Sequence, residues 1–260
     1  METVISRDGT SIAYARSGDG PPLVLVHGST ADHTRWAYVL PELERAFTVF
    51  AMDRRGRGGS GDADTYSLEQ EYDDVVAVVE AAGEGASLLG HSFGALCAME
   101  AALRNRNLRR LILYEPPFPA GDKPLYPPDM PDRLAAMLAK GDREEFLISF
   151  FREVVGAPEE QIAALRADPS WKGRIAAAHT ALREMADGDY EFDPARFRGL
   201  SVPTLLLIGE NSPAELTEPS RALDSALPDS RLVVLERQGH VAMTTAPELF
   251  LREVMGFLAG

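Results

Sequence analysis

Short, continuously apolar runs alternate along this chain with longer amphipathic runs, and this alternation restricts the possible folds more than any other feature. The apolar runs at residues 23–26 and 48–52 are rich in branched side chains, which is typical of strands buried on both faces. Stretches with helical spacing, at residues 68–82 and 95–104, follow them. The order predicts an α/β fold, with a mostly parallel, doubly wound sheet and helices on both faces.

The alternation stops at Pro116 and resumes near Val202. The residues between them have mostly helical spacing, and prolines separate the helical stretches. We therefore predict that residues 118–198 form a helical insertion between two strands of one sheet. Residues 1–117 and 199–260 would form the core.

Composition excludes several classes of function. The chain has 40 acidic and 26 basic residues and a net charge of −14, so it lacks the basic surface that nucleic-acid binding requires. Neither a long apolar run nor a signal-peptide pattern is present, so we expect a cytoplasmic protein without a membrane partner. The single cysteine, Cys97, cannot form a disulfide within the chain and is expected to pack as a small apolar residue.

The segment Gly90-His91-Ser92-Phe93-Gly94 has the pattern G-x-S-x-G between a predicted strand and a predicted helix. A sharp turn from strand to helix strains the backbone of its central residue, and the two glycines remove side chains that would clash there. The hydroxyl group would then stand at a helix N-terminus, where the helix dipole favours negative charge. These features predict that Ser92 is a nucleophile.

Two further loops follow predicted strands and can complete such a site. His240 follows the last predicted strand and can act as a general base and then as a general acid. Ser29 follows the strand that ends at Val26, and its backbone N–H is expected to form an oxyanion hole with that of Phe93. The histidines do not have metal-ligand spacing with carboxylates or cysteines, so we expect neither a metal nor another cofactor.

With these residues assembled, the chain resembles the α/β-hydrolase fold superfamily over nearly its whole length. Residues 53–60 are similar to the D-x-R-G-x-G-x-S loop of that family, which is mainly structural, so Arg54, Arg55 and Arg57 are expected to position this loop. The resemblance also implies that the helical insertion covers the active site as a cap.

The third member of the expected triad departs from the family pattern, because Ser212 stands where the resemblance places an aspartate. The imidazole of His240 still needs an acceptor on Nδ1–H, which fixes its tautomer. We favour Glu115, because it ends a strand at the carboxyl edge of the sheet, beside the crevice where ligands bind. Glu210 is the alternative acid. Glu215, or a weakened dyad of Ser92 and His240 without an acid, are the remaining alternatives.

A serine nucleophile favours transfer of an acyl group to Ser92 and then to water. The predicted function is hydrolysis of a small-molecule carboxylic ester, thioester or lactone with a largely apolar acyl group. Alternatives are another member of the same fold, namely a lyase, a C–C hydrolase or a biosynthetic cyclase, and less readily a ligand-binding receptor. The sequence carries no signal for an oligomeric state.

Overall fold

The computed structural model describes residues 1–120, 124–186 and 190–260 and contains a single eight-stranded sheet within them. The strands are β1 (Glu2–Ile5), β2 (Ser11–Ser17), β3 (Pro22–Val26), β4 (Thr48–Met52), β5 (Ser87–His91), β6 (Arg110–Tyr114), β7 (Thr204–Gly209) and β8 (Ser230–Leu235). Their spatial order is β1-β2-β4-β3-β5-β6-β7-β8. Only the pairs β1–β2 and β2–β4 are antiparallel. The predicted mostly parallel sheet is confirmed.

Twelve α-helices are described around this sheet. They are α1 (Leu40–Leu43), α2 (Leu68–Ala82), α3 (Phe93–Arg104), α4 (Met130–Lys140), α5 (Arg143–Ser149), α6 (Glu159–Ala167), α7 (Trp171–Ala176), α8 (Ala178–Ala186), α9 (Pro194–Phe197), α10 (Ala214–Ala226), α11 (Ala242–Thr245) and α12 (Pro247–Ala259). Helices α2, α3 and α10 pack on one face of the sheet, and α1, α11 and α12 pack on the other.

Alternate residues of each central strand enter opposite apolar cores. In β6, Leu111 and Leu113 join the core under α2 and α3, whereas Ile112 and Tyr114 join the core under α12. This is the period-two arrangement of side chains along a strand, with both faces buried. It explains why the central strands are continuously apolar in the sequence, and it confirms the doubly wound arrangement.

One predicted helix differs from the structure. The helical spacing at residues 34–45 predicts one continuous helix, but the chain forms a 3₁₀ turn at His33–Trp36 and then the short helix α1. Pro41, at the second position of α1, has no N–H to donate to the preceding turn, so it can begin a helix but cannot continue one.

Helices α4–α9 and a π-helical turn at Phe150–Val154 lie between β6 and β7 along the chain. Helices α4, α5, α7 and α8 share an apolar cluster of their own, which includes Leu134, Phe146 and Trp171. Residues 121–123 and 187–189 of the predicted insertion lie outside the described residues. No described helix is both long and apolar enough to cross a membrane.

Buried ion pairs fix the loop after β4. Arg54 donates to both oxygens of Glu71, at 3.0 and 2.7 Å, and Arg55 donates to both oxygens of Asp74, each at 2.7 Å. Arg57 donates at 2.8 Å to the carbonyl oxygen of Arg55. The three arginines therefore position this loop, as the sequence predicts.

Candidate active site

Ser92 lies at the turn from β5 into α3. Its φ is 55° and its ψ is −130°, a region that residues with a side chain rarely occupy. The backbone N–H of Ser92 donates at 2.8 Å to the carbonyl oxygen of Tyr114 on the neighbouring strand, so the strained turn is tied to the sheet. The hydroxyl group lies on the wall of a cavity at the carboxyl edge of the sheet.

The glycines around Ser92 are required by close backbone contacts. A Cβ on Gly90 would lie 2.5 Å from the carbonyl oxygen of Gly94, and a Cβ on Gly94 would overlap the carbonyl oxygen of His27. A Cβ on Gly28 would lie 2.7 Å from the Cβ of Ser92 and 3.3 Å from its Oγ. The loop after β3 therefore approaches the serine too closely for any side chain at position 28.

That approach brings the two predicted oxyanion-hole residues to the serine. Ser29, which directly follows Gly28, and Phe93 both line the same cavity as Ser92. Phe93 is the first residue of α3, so its N–H has no acceptor within the helix. Ser29 and Phe93 therefore lie beside the proposed nucleophile at the cavity wall.

Glu115 and His240 form a direct pair. One carboxylate oxygen, Oε2, is hydrogen-bonded to Nδ1 of His240, and the other, Oε1, accepts the backbone N–H of Gly209 at 2.7 Å. Glu115 is fully buried and has a positive φ of 48°, directly after the end of β6. Since His240 also lines the cavity with Ser92, the structure brings together the three side chains of the expected triad.

The alternative acid is held elsewhere. Glu210 is exposed, and its Oε2 accepts the backbone N–H of Arg237 at 2.6 Å in the turn after β8. Glu215 is also exposed, on α10. The structure therefore places Glu115 at the imidazole of His240, and it places neither of the other two glutamates there.

Two residues that sequence reasoning missed hold the loop that carries His240. The Tyr114 hydroxyl donates to the carbonyl oxygen of Gly239 and accepts the backbone N–H of Ala242, the latter at 3.2 Å. His91 Nε2–H donates at 2.7 Å to the carbonyl oxygen of His240. The sequence contains one signal for these two residues. Each of them ends a strand and directly precedes a predicted catalytic residue.

His91 also lies next to the imidazole of His240. Its ring lies 4.7 Å from that of His240, centroid to centroid. Burial lowers the pKa of His91 well below its usual value, and the neighbouring His240 and Arg35 lower it further. A neutral imidazole with its proton on Nε2 is the form that donates to a carbonyl oxygen.

The cavity that these residues share has a volume of about 740 Å³, including the space at its open mouth. Its walls are mainly apolar and come from α3 and from the segment between β6 and β7, as with Leu96, Leu125, Phe150, Val154, Ala181 and Met185. Glu184 on α8 is a charged exception.

One group of residues has the composition of a metal site. Asp32, His33 and Asp53 bring one ligand atom each within 4.8 Å of the others. The buried Asp53 already accepts the backbone N–H of His33 at 2.7 Å and that of Gly59 at 2.8 Å, and it is hydrogen-bonded to His33 Nδ1 at 2.8 Å. The hydrogen bond between its ring and Asp53 raises the pKa of His33. The group is thus explained by its role in ordering two loops.

The comparisons with known proteins cover nearly the whole chain. A model of the alpha/beta hydrolase family matches residues 23–253. A pimeloyl-(acyl-carrier protein) methyl ester esterase of Aeromonas hydrophila is 30% identical over 95% of this chain and 99% of that protein.

Two solved structures are similar over the same extent. An alpha/beta hydrolase from Sphaerobacter thermophilus superposes with a TM-score of 0.87 and 40% identity, over 99% of this chain and 100% of its own. The esterase RhEst1 from a Rhodococcus species has a TM-score of 0.81 and 24% identity, over 100% and 98%. At that identity the second likeness shows the fold alone.

Proposed function

This chain belongs to the alpha/beta hydrolase family and is a hydrolase, and we propose that it cleaves a carboxylic ester, thioester or lactone of a small molecule through an acyl-enzyme on Ser92. One observation carries the proposal. His240, hydrogen-bonded through Nδ1 to the buried Glu115, lines the same apolar cavity as the strained Ser92. Nucleophile, base and orienting acid are the three parts that acyl transfer through a serine requires.

In the proposed reaction, the imidazole of His240 takes the hydroxyl proton of Ser92 through Nε2 as Oγ attacks the carbonyl carbon. The negative charge that develops on the carbonyl oxygen is stabilised by the N–H groups of Ser29 and Phe93. The imidazolium then protonates the leaving alcohol or thiol. Water attacks the acyl-enzyme with His240 again as the base, and this step releases the acid and restores Ser92.

Glu115 has two functions in this proposal. Its Oε2 keeps the proton of His240 on Nδ1, so that Nε2 is free to accept the proton of Ser92. Its negative charge also stabilises the imidazolium. The second oxygen holds the N–H of Gly209, which fixes the orientation of the carboxylate between β6 and β7.

We further propose that residues 118–198 form the cap of this site. Leu125, Phe150 and Met185 come from this segment and line the same cavity as Ser92. Their side chains suit a largely apolar acyl group. The relative from Aeromonas hydrophila is named as a methyl ester esterase, which supports ester cleavage over the lyase and cyclase alternatives.

A fluorophosphonate tests the proposal, because it reacts with a serine that has an activated hydroxyl and an oxyanion hole. Intact-mass analysis of the wild type should show one adduct, and Ser92→Ala should show none. The wild type should also hydrolyse p-nitrophenyl butanoate, with a loss of about 10⁴-fold or more in Ser92→Ala. A thermal melt of Ser92→Ala is the control for folding. Equal labelling of both proteins, or no labelling of the folded wild type, would contradict the proposal.

A further inference from the structure

Glu184 is the one carboxylate among the described residues that line the cavity. Its side chain is only 3% exposed, so it lies under a mainly apolar surface instead of in solvent. Burying a carboxylate is costly unless it is paired and hydrogen-bonded. The hydrogen-bond partners of each carboxylate oxygen of Glu184 therefore need to be identified.

Two arginines hold one of its oxygens. Oε1 accepts from Arg54 Nη2 at 2.7 Å and also from Arg57 Nη2. Burial alone would raise the pKa of Glu184, but Arg54, Arg57 and the Ser29 hydroxyl outweigh it, so the pKa is lowered and the group is a carboxylate at neutral pH. Arg54 also lies over the ring of Phe93, 4.6 Å from its centroid. This cluster thus contacts the side chains of both proposed oxyanion-hole residues, Ser29 and Phe93.

The other oxygen has no such partner. Within the described part of the chain, Glu184 Oε2 lacks a hydrogen-bond partner. Other polar side chains of the cavity are occupied: the Tyr190 hydroxyl donates to Glu100 at 2.6 Å, and the Tyr126 hydroxyl donates to the carbonyl oxygen of Met185 at 3.0 Å. The Ser29 hydroxyl interacts with Glu184 from the cavity wall, but both arginines bond Oε1, so the ionised Oε2 can accept a further hydrogen bond.

A purely structural ion pair does not account for this arrangement. Arg54 is already paired through two hydrogen bonds with Glu71, which is fully buried and does not line the cavity. Glu184 adds a second carboxylate to the same arginine and brings it to the wall of the pocket. The loop of Arg54 would be held by Glu71 without it.

We propose that Glu184 is a specificity-determining residue whose Oε2 accepts a hydrogen bond from the substrate. The preferred acyl group would then carry a hydroxyl or an amide N–H near the scissile carbonyl, and an acyl group with a second carboxylate would be rejected. This inference rests on the proposed function, because it takes the cavity as the acyl site.

The wild-type enzyme tests it with matched esters that share one leaving group. The series is p-nitrophenyl butanoate, its analogues hydroxylated at carbon 2, 3 or 4, and the p-nitrophenyl monoester of succinate, each corrected for its rate with hydroxide. At least one hydroxylated ester should exceed the plain ester in kcat/KM by about 10- to 100-fold. The succinate monoester should fall below the plain ester.

Glu184→Gln and Glu71→Gln form a matched pair of variants. Each removes one charge from a buried partner of Arg54, but only the first changes the cavity wall. In Glu184→Gln the amide can turn its NH₂ toward the pocket and form only a weaker, neutral hydrogen bond with a substrate hydroxyl, so the preference for the hydroxylated ester should fall and the succinate monoester should gain. Glu71→Gln should keep the relative kcat/KM values of the wild type for all of these esters.

The outcomes separate the two proposals. If the wild type hydrolyses the plain ester and shows nearly the same kcat/KM for every hydroxylated ester, the role of Glu184 is overturned and the serine mechanism stays intact. Equal loss of the preference in both variants would also overturn it, since a general disturbance of the ion pairs would then be sufficient. Absence of both ester hydrolysis and a fluorophosphonate adduct would overturn the proposed function itself. The wild-type series decides even if a variant fails to fold.

Discussion

Backbone strain in this molecule is concentrated around the proposed site. Among the described residues, four that are not glycine have a positive φ: Thr30, Ser92, Glu115 and Arg237. They follow β3, β5, β6 and β8, so all four lie in loops at the carboxyl edge of the parallel strands. Such conformations cost about 1–3 kcal/mol each and persist where the surrounding structure imposes them. Here hydrogen bonds to neighbouring strands impose two of them, through the N–H groups of Ser92 and Glu115.

Glu115 gives the sharpest prediction at the scale of a single residue. In Glu115→Gln, the side-chain oxygen can keep the N–H of Gly209, and the NH₂ group would then face Nδ1 of His240. That donor would force the imidazole proton onto Nε2, where it blocks transfer from Ser92. We expect kcat for p-nitrophenyl butanoate to fall by about 10⁴-fold with a near-normal thermal melt.

Glu210→Gln is the control for that measurement. Its carboxylate is exposed and bonded only to the turn at Arg237, so kcat should stay within about twofold of the wild type. A large loss in Glu210→Gln together with a small one in Glu115→Gln would reverse the assignment of the acid.

At the scale of elements, two adjacent strands end in the same way. The last residue of β5, His91, and the last residue of β6, Tyr114, each bind the backbone of the loop that carries His240. The next residue in each case, Ser92 or Glu115, supplies a proposed catalytic side chain. Parallel strands that end at one edge of a sheet place such pairs next to each other. The sheet therefore positions both the proposed catalytic side chains and the loop between β8 and α11.

Tyr114→Phe tests this arrangement. The change removes two hydrogen bonds to the loop of His240 but no wall of the cavity, so kcat should fall by about tenfold while KM changes little. Tyr72→Phe is the matched control, because the buried Tyr72 hydroxyl has no hydrogen-bond partner among the described residues. An equal fall in kcat in both variants, or a rise in KM without a change in kcat, would contradict a positioning role.

Local patterns in the sequence were sufficient to predict the strands and the position of Ser92. Burial on both faces makes a strand continuously apolar, and the sharp turn at Ser92 requires the glycines around it. These patterns also favoured Glu115 as the acid, but they left Glu210, Glu215 and a weakened dyad open. They could not reveal the partners of the His240 loop, since Tyr114 and Gly239 are 125 residues apart along the chain, and His91 and His240 are 149 apart. Glu184 was missed for the same reason, since Arg54 precedes it by 130 residues.

At the scale of the whole molecule, buried polar groups connect the loops of the core to the helices between β6 and β7. Glu184 pairs with Arg54 and Arg57, and Arg174 on α7 donates at 3.1 Å to the hydroxyl of Thr30. His27 connects two loops of the core in turn, because its Nδ1–H donates to the carbonyl oxygen of Gly28 at 2.8 Å and its Nε2 accepts the N–H of Arg54 at 3.1 Å. These contacts make the stability of the molecule sensitive to the charge on that imidazole.

The imidazole of His27 stays neutral in the folded protein near neutral pH. Burial lowers its pKa well below the usual value, and the neighbouring Arg54 and Arg57 lower it further. The unfolded chain takes up a proton at this histidine below about pH 6.5 and the folded chain does not, so the contribution of His27 to stability is present above that pH and is lost as the pH falls. Between about pH 7 and about pH 5.5 the loss should be about 1 kcal/mol.

Urea unfolding of the wild type and of His27→Gln at these two pH values isolates this effect, because glutamine can donate and accept but does not titrate. The advantage of the wild type in free energy of unfolding should shrink by about 1 kcal/mol at the lower pH. His33→Gln should behave in the opposite way: its hydrogen bond to Asp53 raises the pKa of His33, so its contribution is present below about pH 6.5 and is lost as the pH rises. Differences that do not change with pH in either variant would contradict both the lowered pKa of His27 and the raised pKa of His33.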